Sequence, residues 1–177
     1  GGARPKANVL DAGGNLSIAE FPSPSTDEWD VIAWEHVALT LARRSGIAVS
    51  PSALHRVAGR SVLVIRRFDR TGRTRIGYLS AMSILGLNRG EASYLDIAEA
   101  IERFSPRVRE DLIELWRRMA FTVLITNRDD HLRNHGFLRR SSAGWELSPA
   151  FDLNPDPEPG PRLLKTAISH EANEASV

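Results

Sequence analysis

Three oxygen-bearing side chains, Asp129, Asn134 and Asp152, constrain this chain more than anything else in it. Asp129 and Asn134 stand five residues apart in Thr126-Asn127-Arg128-Asp129-Asp130-His131-Leu132-Arg133-Asn134. Asp152 follows in Ser148-Pro149-Ala150-Phe151-Asp152-Leu153-Asn154-Pro155. Between them, 136–139 and 145–147 read as a hairpin. Magnesium-dependent phosphoryl transfer needs this set in this order. A carboxylate takes or orients the proton of an attacking hydroxyl, and an amide and a second carboxylate hold the metal against nucleotide phosphates. Magnesium prefers hard oxygen ligands, keeps some of its waters and leans on few protein groups.

Other segments extend the pattern. The chain opens with Gly1-Gly2-Ala3-Arg4-Pro5-Lys6, continues with Trp34-Glu35 in a predicted helix, and carries Arg67-Phe68-Asp69-Arg70 at the end of an apolar strand. Together these resemble the HipA-like serine/threonine kinases, bacterial proteins often encoded as toxins beside a DNA-binding antitoxin. The resemblance runs from Gly1 to about Pro155. It implies an α+β, two-lobed protein-kinase-like fold, with an N-lobe-like part over 1–70 and a C-lobe-like part over 71–177. It also implies ATP and Mg2+ as cofactors, a protein substrate and an antitoxin partner. A family member would have further segments before the glycine loop and after Asp152, so the chain is expected to be the middle of a larger protein.

Composition narrows the alternatives. The chain has 177 residues, enough to bury a proper core. Its net charge is +1 with 25% charged residues, a balance that does not point to nucleic acid or a membrane surface. There is no cysteine, which excludes disulfides and thiolate metal sites and agrees with a cytoplasmic protein. No signal peptide or membrane-spanning apolar run is visible.

Asn8 to Leu10 and Leu16 to Phe21 read as strands joined by Asp11-Ala12-Gly13-Gly14. Thr26 or Asp27 is expected to cap a helix to about Ser45, with Val31, Trp34, Ala38 and Leu41 on one face and Gly46 as its stop. Ala53 to Val57 and Ser61 to Phe68 form a second hairpin across Gly59-Arg60. Ser93 opens a helix to Phe104 with Leu95, Ala98 and Ile101 on one side. Ser105-Pro106 is expected to start a longer helix to about Ile125, its stripe formed by Leu112, Leu115, Trp116, Met119 and Val123. The proline-rich run 156–161 reads as an extended loop near a substrate entrance or, equally, as a solvated linker.

Residue roles follow. Gly1 and Gly2 would let backbone N–H groups approach phosphate oxygens, with Lys6 adding charge at the rim. Phe68 and its neighbours would cover the adenine ring at the hinge, and Asp69 reads as a structural ion pair with Arg67 and Arg70. Asp129 is the expected base, with Asp130 as its rival, and the spacing to Asn134 favours Asp129. His131 is expected to brace the loop through a hydrogen bond, and Asn127 to bond its backbone. Asn134 and Asp152 would hold the metal.

One residue departs from the family. The strand ending in Phe21-Pro22 should carry a phosphate-binding lysine, and the matching residue is Glu20. Glu35 would resemble the glutamate that pairs with that lysine, so two carboxylates would face each other and one would tend to take up a proton. Either nucleotide binding is poor, or the enzyme is inactivated, or Lys6 or Arg4 supplies the cation. Two further alternatives stay open: a small-molecule phosphotransferase, and a non-catalytic module that binds an antitoxin-like partner. A transition-metal site built from Asp129, His131 and His135 would need a helix through both histidines, which Gly136 and the following strand oppose.

Overall fold

The computed structural model describes residues 4–23, 27–72, 74–87, 92–158 and 163–172. Gly1, Gly2 and Thr26 lie outside them, as do 159–161 of the proline-rich run. The first lobe is strand, strand, helix, strand, strand: β1 (Lys6–Leu10), β2 (Leu16–Glu20), α1 (Val31–Arg44), β3 (Ser52–Val57) and β4 (Arg60–Arg66). The four strands form one antiparallel sheet in the order β1-β2-β4-β3. Ala58 and Gly59, with φ of 48° and 78°, make the tight turn between β3 and β4.

Side chains alternate across this sheet, so register decides which residues meet α1. Lys6 stands opposite Glu20, and Glu20 opposite Leu63. Leu63 packs in the core with Ile32, Ala38 and Leu39 of α1, which puts Lys6 and Glu20 in the row of the sheet that faces that helix. Ile32, Leu39 and Leu63 are fully buried, and each such side chain contributes about 1.5–3 kcal/mol.

α1 is capped by Asp30, whose carboxylate accepts from Ala33 N at 3.1 Å and from Ser61 Oγ at 2.6 Å. Asp27 does not cap it. Its carboxylate pairs with Arg4 at 3.1 Å and accepts from Ser23 N, so it tethers the preceding segment instead. The helix is also rotated from the expected face. Val31, Ile32, Glu35, Ala38, Leu39 and Ala42 are buried, whereas Trp34 and Leu41 are exposed. Gly46 ends it at φ 78°.

The second part begins with two short strands, β5 (Arg70–Thr71) and β6 (Thr74–Arg75), and continues with β7 (Gly77–Ser80), α2 (Ala81–Ile84), α3 (Tyr94–Phe104), α4 (Val108–Leu124), β8 (Gly136–Ser141) and β9 (Gly144–Leu147). The hairpin β8-β9 is extended by β7 on its other edge. α3 starts with a capping box of Ser93 and Asp96. Its buried face is Tyr94, Ile97, Ala100 and Ile101, and Leu95 is exposed.

α4 begins at Val108 and not at Ser105. Ser105 accepts from Arg107 N and donates to Asp111, so it orders the turn before the helix. Its buried side includes Asp111, Leu115, Arg118 and Phe121, while Trp116 is 64% exposed. The buried charges hold the site-bearing chain. Asp111 accepts from Leu147 N at 2.9 Å, and Arg118 donates to Ser148 O at 2.6 Å and pairs with Glu114. One core cluster joins Ile32, Leu39, Ile47 and Leu63 to Phe121, Ala150 and Leu153, so the residues flanking Asp152 are packed against α1 and its sheet. A backbone bond from Ala150 N to Ala48 O, 2.7 Å, fixes that junction.

Candidate active site

The loop that carries Asp129 leaves α4 through a residue in an unusual conformation. Thr126 has φ 55°, and Thr126 N and Asn127 N close back onto Val123 O and Thr122 O. This is the helix stop that glycine usually makes. Asn127 is fully buried, yet its side-chain nitrogen and oxygen find no partner among the described residues. The expected bond from Asn127 to the loop backbone is therefore absent.

The two neighbouring aspartates have opposite environments. Asp130 is buried, and its Oδ2 accepts from Tyr94 Oη at 2.6 Å and lies 3.0 Å from His135 Nε2. Burial alone would raise the Asp130 pKa, but the charge and hydrogen bond of His135 and the Tyr94 hydroxyl hold it below the usual carboxylate value. Burial, with the Asp130 charge, pushes the Tyr94 phenol well above its ordinary value, so it remains a donor. Thr166 N and Oγ1 both donate to Asp130 O, at 3.0 and 3.1 Å. Asp130 thus ties the loop to α3 and to the segment after 163.

Asp129 faces outward with a 62% exposed side chain, and its Oδ1 accepts from Lys165 Nζ. Asn134 Nδ2 reaches Asp129 O at 3.4 Å, which sets the Asn134 amide beside Asp129 and leaves its Oδ1 without a hydrogen bond to any described residue. His131 does not brace the loop as expected, because its buried Nδ1 has no partner among the described residues. His135 does that work through Asp130. No helix carries both histidines, and among the described residues no group of three or more His, Cys, Asp or Glu side chains is arranged to hold a metal.

Asp152 also sits in left-handed backbone, at φ 59°, a conformation that Asp tolerates better than most side chains. Its Oδ1 accepts from Asn154 Nδ2 at 2.6 Å, and its Oδ2 makes no hydrogen bond with a described residue. Asp152 Oδ2 and Asn134 Oδ1 are hard oxygens, the donor type that magnesium prefers.

On the sheet side, Lys6 Nζ donates to Glu20 Oε1, and Glu20 is 7% exposed. Glu35 is 1% exposed and its Oε1 has no hydrogen-bond partner among the described residues. Burial first, then the charges of Glu20 and Asp152, push the Glu35 pKa well above its ordinary value, opposed by Lys6 and Arg4. Lys6, Glu20 and Asp152 thus all lie within electrostatic reach of Glu35.

Phe68 packs against Phe151 and Tyr78, with ring centroids 5.5 and 6.0 Å away. This links the end of the sheet to the residue before Asp152. The Asp69 carboxylate takes two bonds from Arg67, at 2.6 and 2.8 Å, and one from Arg70, whose Nη1 also donates to Asp69 O; this is the expected structural ion pair. A hollow of about 680 Å³ on the sheet's other face, lined by Ser17, Ala19, Val62 and Val64 among others, includes none of Asp129, Asn134 or Asp152. Cavity shape therefore does not locate this site.

Sequence reasoning missed the Asp130 hub, Lys165 and the buried charges of α4. A signal for the last existed in the spacing of Asp111, Glu114 and Arg118, three and four apart on a helix.

Comparison with known proteins bears on the family and the fold. The model of the HipA-like C-terminal domain matches residues 1–177. A provisionally named kinase of Haemophilus influenzae is 28% identical over 155 residues, covering 76% of this chain and 45% of that protein. A similarly named kinase of Sinorhizobium fredii, Y4mE, is 27% identical over 148 residues, covering 77% and 33%. The chain thus spans less than half the length of these curated relatives. Among solved structures, HipA of Shewanella oneidensis MR-1, in complex with HipB and its operator DNA, superposes with a TM-score of 0.78 at 18% identity, covering 99% of this chain and 48% of that one. The Helicobacter pylori proinflammatory kinase CtkA gives 0.66 at 21% identity, covering 85% and 54%. The fold is the two-lobed, kinase-like α+β fold of these proteins, and the chain belongs to the HipA-like C-terminal domain family.

Proposed function

We propose that this chain is the core of a kinase that transfers the γ-phosphate of ATP to a serine or threonine hydroxyl of a protein. The observation that carries the reading is the division between adjacent aspartates. Asp130 is consumed in a buried hub, and Asp129 is thereby presented outward beside the Asn134 amide. Asp129 is the base or hydroxyl-orienting residue, and Asn134 and Asp152 hold the metal. When bound, Mg2+ would neutralise the phosphate charge and orient the γ-phosphate. The protein's own contribution is positioning and charge, since phosphoryl transfer asks little covalent chemistry of it.

The lobes divide near residue 70, with the aromatic group of Phe68, Tyr78 and Phe151 as the hinge and adenine cover. Gly1 and Gly2, outside the described residues, keep the phosphate-binding role expected from the sequence. Lys6 is the phosphate-binding cation that Glu20 cannot be. It projects from β1 into the row where the expected lysine would stand on β2. Glu20 then modulates Lys6. In this reading the protein acts in the cytoplasm. Its partner is a DNA-binding antitoxin of the HipB kind, carried over from the Shewanella complex. Among the described residues, no helix is long and apolar enough to cross a membrane.

The Glu20–Lys6 ion pair favours one other reading, a non-catalytic module that binds a protein partner. Calorimetry with ATP, with and without magnesium, separates the two. The kinase reading expects magnesium-dependent binding that weakens at least tenfold, about 1.4 kcal/mol, in Asp152→Ala and in Asn134→Ala. Unchanged binding in both variants removes these ligands, and no binding in the parent favours the non-catalytic module.

A further inference from the structure

We infer that Lys165 is a positioning residue for Asp129, holding its carboxylate toward the acceptor hydroxyl; this rests on the kinase reading above. The segment carrying Lys165 is built against the loop residue by residue. Leu164 and Thr166 on either side are buried. Thr166 donates twice to Asp130 O, and Tyr94 N donates to Ala167 O at 2.8 Å. With Thr166 locked onto Asp130, Lys165 falls beside Asp129, and its Nζ donates to Asp129 Oδ1.

Stability does not account for this pair. Both side chains are about 60% exposed, and exposed ion pairs contribute little to stability. Its geometric effect is larger. Asp129 has no other side-chain hydrogen bond to a described residue, so Lys165 alone restrains the carboxylate, and it does so through one oxygen. Oδ2 is left for the substrate. In the transfer, the hydroxyl oxygen bonds to the γ-phosphorus and the bond from that phosphorus to the β,γ-bridging oxygen breaks. The electron pair leaves with ADP, and the hydroxyl proton passes to Asp129 Oδ2. A carboxylate free to rotate would meet that proton in the wrong orientation for much of the time, and small misplacements of a reacting group are costly.

Steady-state transfer from ATP in the complete gene product tests this with the parent, Asp129→Asn, Lys165→Met and Lys165→Arg. Lys165→Met should lower kcat roughly ten- to a hundredfold, with the KM for ATP and the melting temperature unchanged. Lys165→Arg should recover kcat to within about threefold of the parent, since it keeps a donor at the same carboxylate. If Lys165→Met keeps kcat within about twofold of the parent while Asp129→Asn is silent, Lys165 has no positioning role and the kinase reading survives. A parent that transfers nothing overturns the kinase reading, and this inference with it.

Discussion

Lys6 and Glu20 stand directly opposite each other on β1 and β2, and the Lys6 ammonium donates to the Glu20 carboxylate. The Glu20 carboxylate therefore already has a counter-ion. Removing the lysine should be far worse than removing the glutamate. Lys6→Met is expected to weaken ATP binding at least tenfold. Glu20→Gln frees Lys6 for phosphate and should tighten binding about three- to tenfold. Titration with a fluorescent ATP analogue in magnesium measures both. Parent-like binding by Lys6→Met would mean that another cation holds the phosphates.

Asp129 and Asp130 should part company on mutation. Asp130→Asn breaks a buried network and should cost about 2–4 kcal/mol in urea unfolding. Asp129→Asn, at an exposed position, should stay within about 0.5 kcal/mol of the parent. The Asp130 pKa is lowered by folding, so its stabilisation is present above the ordinary carboxylate value and fades as pH falls through the folded one. The Asp130→Asn deficit should therefore shrink in acid. Equal costs for the two variants would contradict the division of roles.

Glu35 should behave in the opposite sense. Its pKa is raised in the folded state by burial and by Glu20 and Asp152. Such a group contributes fully below its unfolded pKa, and the contribution is lost as pH rises through the folded pKa. Glu35→Gln should therefore be more stable than the parent near pH 8, by on the order of 1 kcal/mol, and match it near pH 4. Melting curves across that range decide. A parent-to-variant difference that does not change with pH would show that Glu35 keeps its ordinary ionisation.

The strain at Thr126 gives a prediction about the loop's root. A β-branched residue at positive φ is disfavoured, and glycine is the usual occupant of this helix stop. Thr126→Gly should raise stability by about 0.5–1 kcal/mol. A loss of stability would show that the threonine side chain contributes more than its backbone costs.

Much of the frame was legible because local rules acted alone. The Asp11–Gly14 turn, the Ser93 cap, the Gly46 stop and the Asp69 pairing each depend on neighbours a few residues away. The helix faces were misread where tertiary needs outweighed apolar counting. Trp34 and Leu41 look like core residues, but Ile32, Ala38, Leu39 and Ala42 pack against Leu63 and carry Glu35 inward with them, which leaves Trp34 and Leu41 at the surface. Trp116 yields its place on α4 to Asp111 and Arg118, because Leu147 N and Ser148 O need buried partners. Lys165 lies 36 residues beyond Asp129, and no spacing rule links them. The interval from Asp129 to Asn134 is local, and Asn134 Nδ2 closes it onto Asp129 O. The hub beneath it was not legible, since Tyr94 and His135 meet Asp130 only after folding.

The central claim is that Asp129 accepts or orients the proton of the attacking hydroxyl in a magnesium–ATP cleft. Transfer of label from [γ-32P]ATP to the protein itself or to lysate protein, compared between the complete gene product and its Asp129→Asn form, tests it most directly. Magnesium-dependent labelling by the parent and a loss of at least about a hundredfold in the variant are expected, with melting behaviour unchanged. Equal labelling by the two forms would remove Asp129 from the chemistry and contradict the account.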